Sequence, residues 1–192
     1  MNTPAHLIFG LTAFGRAGQP RVTAAALAGG LIPDLSLYLM AGWHLYVLET
    51  PAETVFETLY FSPEWQAVFR IDNSVPLWTL GLALALWSRS AWGVALTGAA
   101  LLHLGLDIGF HHDDGRAHFW PLSTWVFQSP FSYWDPRHFG GIVGPLEVGV
   151  ALACCGLLWR RFLHWAMRLL IVALGVMELA TMVMWAMMFA GQ

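Results

Sequence analysis

Long apolar runs broken by short polar turns set the pattern of this chain. Ala91–Phe110 is twenty positions carrying one imidazole and one carboxylate, His103 and Asp107. As a helix it is long enough to cross a hydrocarbon core of about 30 Å. Gly140–Trp159 and Leu169–Ala190 repeat the pattern with a single acid each, Glu147 and Glu178. Val22 to Trp43 is a further run. Its first half, Ala24 to Gly30, is made of small residues that permit close backbone approach, and Pro33-Asp34 marks a kink with a carboxylate on it. Val75–Trp87 is an unusually short apolar run closed by Arg89. Residues 3–15 predict a helix too short to cross, with Thr3 as its cap and Pro4 in its first turn.

Two polar stretches interrupt these runs. Residues 44–72 set Glu49, Glu53, Glu57 and Glu64 among aromatics, which suits an amphipathic segment outside the membrane. After Phe110 comes a loop of roughly thirty residues. It holds His111, His112, Asp113, Asp114, Arg116, His118, Asp135, Arg137 and His138 with Trp120, Trp125 and Trp134. The expected fold is all-α: a polytopic membrane helix bundle forming one integral membrane domain over residues 1–192. It has about five spans, a short N-terminal helix and a long non-cytoplasmic loop.

Composition agrees. The chain is 57% hydrophobic and 11% charged, with mean hydropathy +0.58. A net charge of −3 gives no footprint for nucleic acid. All nine basic residues are Arg, which excludes Schiff-base and P-loop lysine chemistry. Cys154 and Cys155 are adjacent inside a run and read as packing residues. The first residues lack the basic flank of a signal peptide, so the N-terminus is expected to remain in the mature protein. Arg16, Arg21, Arg89, Arg160, Arg161 and Arg168 fall on one side if the spans alternate. By the positive-inside rule that side is cytoplasmic, and the histidine-rich loop is then periplasmic or external. Trp43, Trp87, Trp92 and Trp159 sit near span ends, as an aromatic belt would.

Candidate chemistry centres on His103, Asp107 and His111, four residues apart and so on one helix face. An imidazole, a carboxylate and a second imidazole in a row can present a divalent metal; the plainer reading is a buried His–Asp hydrogen bond locking helices together. Depth ties other groups to this face. Counting from the nearest cytoplasmic arginine at about 1.5 Å per residue, His6 lies about 15 Å deep, and Asp34 and Glu147 about 20 Å. On the same count His103 and Asp107 lie about 21 and 27 Å deep, and Asp72 and Asn73 about 24–26 Å. The ionisable groups gather in the outer half of the membrane, as a recessed polar pocket would require.

His6 on the N-terminal helix, Pro33-Asp34 ending a small-residue helix, and His103-x-x-x-Asp107 followed by Pro121 give the chain a family likeness. It resembles the LexA-regulated, YdjM-like family of bacterial inner-membrane metal-dependent hydrolases. The resemblance covers most of the chain in short motifs and implies a multi-helix membrane protein with a metal-assisted hydrolase site. One segment departs: where the family has His-Arg…Thr-His-Ser, this chain reads Phe69-Arg-Ile-Asp-Asn-Ser74. Arg70 and Ser74 remain, but Phe69 and Asn73 replace the histidines. Asp72 as a substitute oxygen ligand and loss of the metal are both open.

On the hydrolase reading, His6, Asp34, His103 and Asp107 bind a divalent metal, Zn²⁺ or a similar ion. His111 or Asp114 is then the general base, and Arg70, Arg116 and Arg137 hold a phosphate or carboxylate. The substrate would be amphiphilic, a phospholipid or polyprenyl phosphate from the surrounding membrane lipid. The 115–139 loop is either a lid that grips lipid or a protein partner, or an interfacial cap with Trp and Tyr at headgroup level. Glu147 is read as an arginine partner or a ligand, and Glu178 as an interhelical hydrogen-bond partner. His44, His138 and His164 are read as interfacial, and Met182–Met188 as packing or lipid contact. The rival class is a membrane scaffold or assembly subunit without turnover; a transporter fits less well, because no inverted repeat is visible.

Overall fold

The computed structural model describes residues 1–189; the side chains of residues 185, 186, 188 and 189 lie outside the description, and with them part of the Met182–Met188 run. Regular structure among the described residues is helical throughout. Seven α-helices follow in order: α1 Thr3–Phe14, α2 Pro20–Tyr46, α3 Pro63–Asp72, α4 Val75–Trp87, α5 Ala91–Phe110, α6 Gly140–Arg161 and α7 Trp165–Phe189. A π-helical turn, Thr54–Leu59, precedes α3, and a 3₁₀ turn, Pro136–His138, precedes α6. Four helices, α2, α5, α6 and α7, are long and apolar enough to cross a membrane, which marks a membrane protein.

The shortest apolar helix is the hub. α1 packs on α2 and α5 on one side and on α6 and α7 on the other. Pro4, Ala5, His6, Ile8, Gly10 and Leu11 are all buried on it. Its length of twelve residues forbids a crossing, and the four long helices enclose it instead. Asn2 rather than Thr3 holds the cap position, without a side-chain hydrogen bond. Thr3 lies one residue inside the helix, which frees its hydroxyl for Asp34 below.

Small residues set the closest approaches, as their run in the sequence predicts. A methyl group added at Gly29 would fall 2.0 Å from the Leu96 carbonyl oxygen of α5. One added at Gly30 would fall 2.9 Å from the His6 carbonyl oxygen of α1. These two glycines let α2 lie against both neighbours where the polar residues meet. At the other end of α1, Arg161 donates to the carbonyls of Thr12 (2.7 Å) and Gly15 (3.1 Å). Those are carbonyls that the end of a helix leaves open.

Residues 44–72 fold back on α2. Val55, Tyr60, Trp65 and Phe69 form a small apolar cluster with Ala41. Ser62 and Ser74 cap α3 and α4 by accepting from Trp65 N and Leu77 N. The long loop folds over the same end. The Val75 amide donates to the His118 carbonyl (2.8 Å), Ser74 Oγ donates to the Trp120 carbonyl, and Tyr133 N donates to the Phe110 carbonyl (3.2 Å).

Candidate metal centre

α1, α2 and α5 bring three of the predicted ligands together and the fourth to their edge. His6 Nε2 is 2.9 Å from Asp107 Oδ1, and His103 Nε2 is 3.1 Å from Asp107 Oδ2. The two imidazoles are stacked, with centroids 3.5 Å apart and planes 8° from parallel. One donor atom from each of His6, His103 and Asp107 lies within 4.8 Å of the others. Ligands about 2.1 Å from a tetrahedral ion stand about 3.4 Å apart, and the two measured separations lie within about half an ångström of that. Asp34 stands further off, its Oδ1 3.7 Å from His103 Nε2. Its Oδ2 accepts from Thr3 Oγ1 at 2.5 Å.

The hydrogen bond on the far side of His103 constrains its chemistry. His103 Nδ1 lies 2.8 Å from the Gly30 carbonyl oxygen. A carbonyl only accepts, so Nδ1 carries the proton, and Nε2 of the neutral ring presents a lone pair. That lone pair faces the Asp107 carboxylate. Two acceptors at 3.1 Å repel, and the contact is stable only with a cation between them: a second proton on the ring, or a metal ion. A backbone carbonyl on the second nitrogen is also the usual support of a metal-bound imidazole. The donor set, two imidazoles and carboxylate oxygen, therefore fits a divalent ion. His6 differs. Its Nδ1 is buried with no hydrogen-bond partner, so nothing outside the cluster fixes its tautomer.

Asp107 gathers more than its helix-face neighbours. The amino group of Met1 donates to Asp107 Oδ1 (2.9 Å) and lies 3.0 Å from His111 Nε2. His111 Nε2 is itself 3.2 Å from Asp107 Oδ1, and its Nδ1 is 2.9 Å from Asp114 Oδ2, off the line of a good hydrogen bond. Burial pushes the Asp114 carboxyl up, but His111 and the Trp134 indole N–H outweigh it and hold the group below the ordinary carboxylate range. The pair placed in sequence as a general base thus sits at the loop end of the cluster.

Arg116 is buried rather than poised for a ligand. Its Nη1 donates to the Pro33 carbonyl (3.1 Å) and to Asn73 Oδ1 (3.0 Å), and lies 3.6 Å from Asp34 Oδ1. Its guanidinium carbon sits 4.9 Å from the centre of the Phe69 ring. Burial works against the charge, but Tyr60 and Asp34 more than restore it and raise the pKa. Phe69 and Asn73 thus help seat this cation. Asn73 Nδ2 also donates to the Pro33 carbonyl (2.9 Å).

The remaining candidates separate. Arg137 is exposed and paired with Asp135 (2.9 Å), away from the cluster. Arg70 is half-buried on α3 with no hydrogen bond or ion pair among the described residues. Glu147 does not pair with an arginine: its Oε1 accepts from the Asn2 backbone N–H at 2.7 Å. Glu178 reaches the start of α1 beside Asn2 and Ala5 and is fully buried, its oxygens without a well-formed hydrogen bond. His138 is not merely interfacial: its ring stacks on His112 at 3.6 Å and its Nδ1 lies 3.0 Å from Asp135 Oδ2. Sequence reasoning missed Met1, Asn2 and Thr3 at the cluster. The only signal was their position one turn before His6.

The chain matches no family model, no curated protein and no solved structure.

Proposed function

We propose that this chain is a membrane-embedded, metal-dependent hydrolase acting on a lipid-type substrate with a phosphate-bearing head, of the YdjM-like kind that its motifs resemble. The observation that carries the reading is the His103 ring, its Nδ1 on the Gly30 carbonyl and its Nε2 aimed at Asp107 beside His6 Nε2. On this reading His6, His103 and Asp107 hold the ion, with Asp34 as a further oxygen donor at the edge. A bound divalent ion supplies Lewis acidity and lowers the pKa of a coordinated water toward neutrality. His111, backed by Asp114, accepts a proton at Nε2 and is held by Asp107 and Asp114 on either side. Arg116 faces Asp34 and holds it in place rather than gripping substrate. Of the three arginines expected to hold phosphate, Arg116 and Arg137 are committed to internal carboxylates, and Arg70 makes no hydrogen bond or ion pair among the described residues.

The setting is the bacterial inner membrane that the resemblance implies, and the arginine bias orients the chain in it, with the six-arginine side cytoplasmic and the His111–Phe139 loop periplasmic. α4 makes a fifth, short crossing whose outer end meets the polar pocket under the loop.

A scaffold or assembly subunit without turnover is the second reading. It is favoured by the internal cation on Asp34: Arg116 satisfies that carboxylate without any ion. Hydrolysis of phosphatidic acid and polyprenyl phosphate by the purified full chain, after metal reconstitution, separates the two. Turnover in wild type that is lost in His103→Ala and His111→Gln supports the hydrolase. Equal, background rates in all three leave the scaffold.

A further inference from the structure

The cluster does not end at Asp107. α5 and α6 both pack on α1 but leave a gap between themselves, and a cavity of about 450 Å³ fills that gap. Its walls are apolar: Phe9 of α1, Leu102 and Leu106 of α5, and Leu146, Val150 and Cys154 of α6. Met1 and Glu147 stand at one end, where the amino group of Met1 touches Asp107 and His111. Thr12 and Ala13 close the other end. α1 and α6 run the same way along the cavity, since Asn2 meets Glu147 near their starts and Thr12 meets Arg161 near their ends.

Length and lining identify an occupant. From Met1 to Ala13 the cavity extends about 18 Å along α1, at 1.5 Å per residue. One leaflet of a hydrocarbon core of about 30 Å is about 15 Å deep. The slot is thus as long as one leaflet's chain and opens sideways between two helices of membrane-spanning length. It is wide enough for a single chain; small-ligand cavities of about 300–1,000 Å³ hold compact ligands. One end closes on Met1 and Glu147, beside the buried contacts of Met1 with Asp107 and His111. We infer that this groove takes one acyl chain of a membrane phospholipid, entering laterally from the bilayer with its headgroup end toward the His–Asp cluster.

The inference rests on the hydrolase reading for what happens to the head, but not for where the tail lies. That makes the two separable. The full chain is reconstituted in vesicles of phosphatidylethanolamine and phosphatidylglycerol with a tracer phospholipid bearing a diazirine halfway along one acyl chain. After irradiation, adducts are mapped by peptide mass spectrometry. Leu146 and Val150 of the groove are 62% and 54% exposed, and Leu80 and Leu157 on other lipid-facing surfaces are 58% and 55% exposed. Plain contact with annular lipid would label all four alike. The groove predicts several-fold enrichment at Leu106, Leu146 and Val150 over Leu80 and Leu157.

Filling the slot removes the enrichment and leaves Leu80 and Leu157 unchanged. Val150→Trp does this genetically. Alkylating Cys154 with a bulky maleimide in folded Cys155→Ala protein does it without risk to folding, because Cys155 faces Ile171 of α7 instead. His103→Ala keeps the enrichment even if it loses metal and turnover. Labelling in proportion to exposure, or enrichment that survives both blocks, overturns the acyl-chain site whatever the metal content proves to be.

Discussion

Arg116→Met tests where the sequence reading and the structure part most clearly. As a phosphate-binding residue, Arg116 would cost substrate affinity and little stability when removed. In the fold it is a buried strut: two hydrogen bonds, to the Pro33 carbonyl and Asn73 Oδ1, a ring contact with Phe69, and the charge facing Asp34. Hydrogen bonds to a charged group are worth about 1.5–3 kcal/mol each. Removing one member of a buried pair costs about 3–5 kcal/mol, because the other charge is left without compensation. The two figures overlap, since the same Nη1 makes all three contacts, so the expected loss for Arg116→Met is about 3–5 kcal/mol. Neutralising the stranded partner should recover part of it: Arg116→Met with Asp34→Asn should be more stable than additivity predicts by about 1–3 kcal/mol. The assay is reversible unfolding in mixed micelles, followed by tryptophan fluorescence, for the four members of the cycle. A loss under about 0.5 kcal/mol in the single variant, the range of an unconstrained surface site, would refute the strut.

Three further outcomes follow from particular contacts. Burial pushes the His118 imidazole down to about 4 from the ordinary 6.5; the folded loop therefore binds fewer protons than the unfolded one between those values. Its stability is complete above pH 6.5 and falls by about 3 kcal/mol on acidification through pH 4, at about 1.4 kcal/mol per unit. Amide exchange of residues 115–125 should accelerate over that window in wild type and not in His118→Leu; a flat profile in wild type would contradict it. Gly29→Leu should abolish the folded yield, because its first side-chain atom would meet the Leu96 carbonyl at 2.0 Å, whereas Gly42→Ala, with nothing within 4 Å, should be neutral. Asn73→Leu should destabilise by about 2–3 kcal/mol, leaving the Pro33 carbonyl and Arg116 short of partners; unchanged unfolding would remove Asn73 from the seat of Arg116.

The periodic part of the fold was legible because membrane spans announce themselves by length and apolarity. α5 ends at Phe110 in sequence and in structure alike, and the small-residue run of α2 does make the tight contacts expected of it. Straight helices turn residue number into height, which puts His6, Asp34, His103 and Asp107 within about 12 Å of one another in depth, and the fold brings three of them into one cluster with Asp34 at its edge. Lateral neighbours carry no such signal. Nothing periodic connects Arg116 to Pro33 and Asn73, or Thr3 to Asp34, which are joined only by how the loop and the helices close. Charge alone offers Glu147 an arginine partner or a ligand role, but the N–H that reaches it belongs to the backbone of Asn2. The place of α1 was visible only negatively, as a helix too short to span. That it is the hub follows from four longer helices needing something to pack around.

The account turns on whether an ion sits between His103 and Asp107. X-ray absorption on full-length protein purified without chelator, with metal quantified on the same sample, reads this directly. Near-stoichiometric divalent metal with two imidazole ligands and oxygen in its shell, lost together in His103→Ala and in Asp107→Ala, is the predicted result. Metal-free wild type that folds normally, and stays metal-free after incubation with Zn²⁺ or Mn²⁺, would contradict it and leave the cluster as a proton-held ion network.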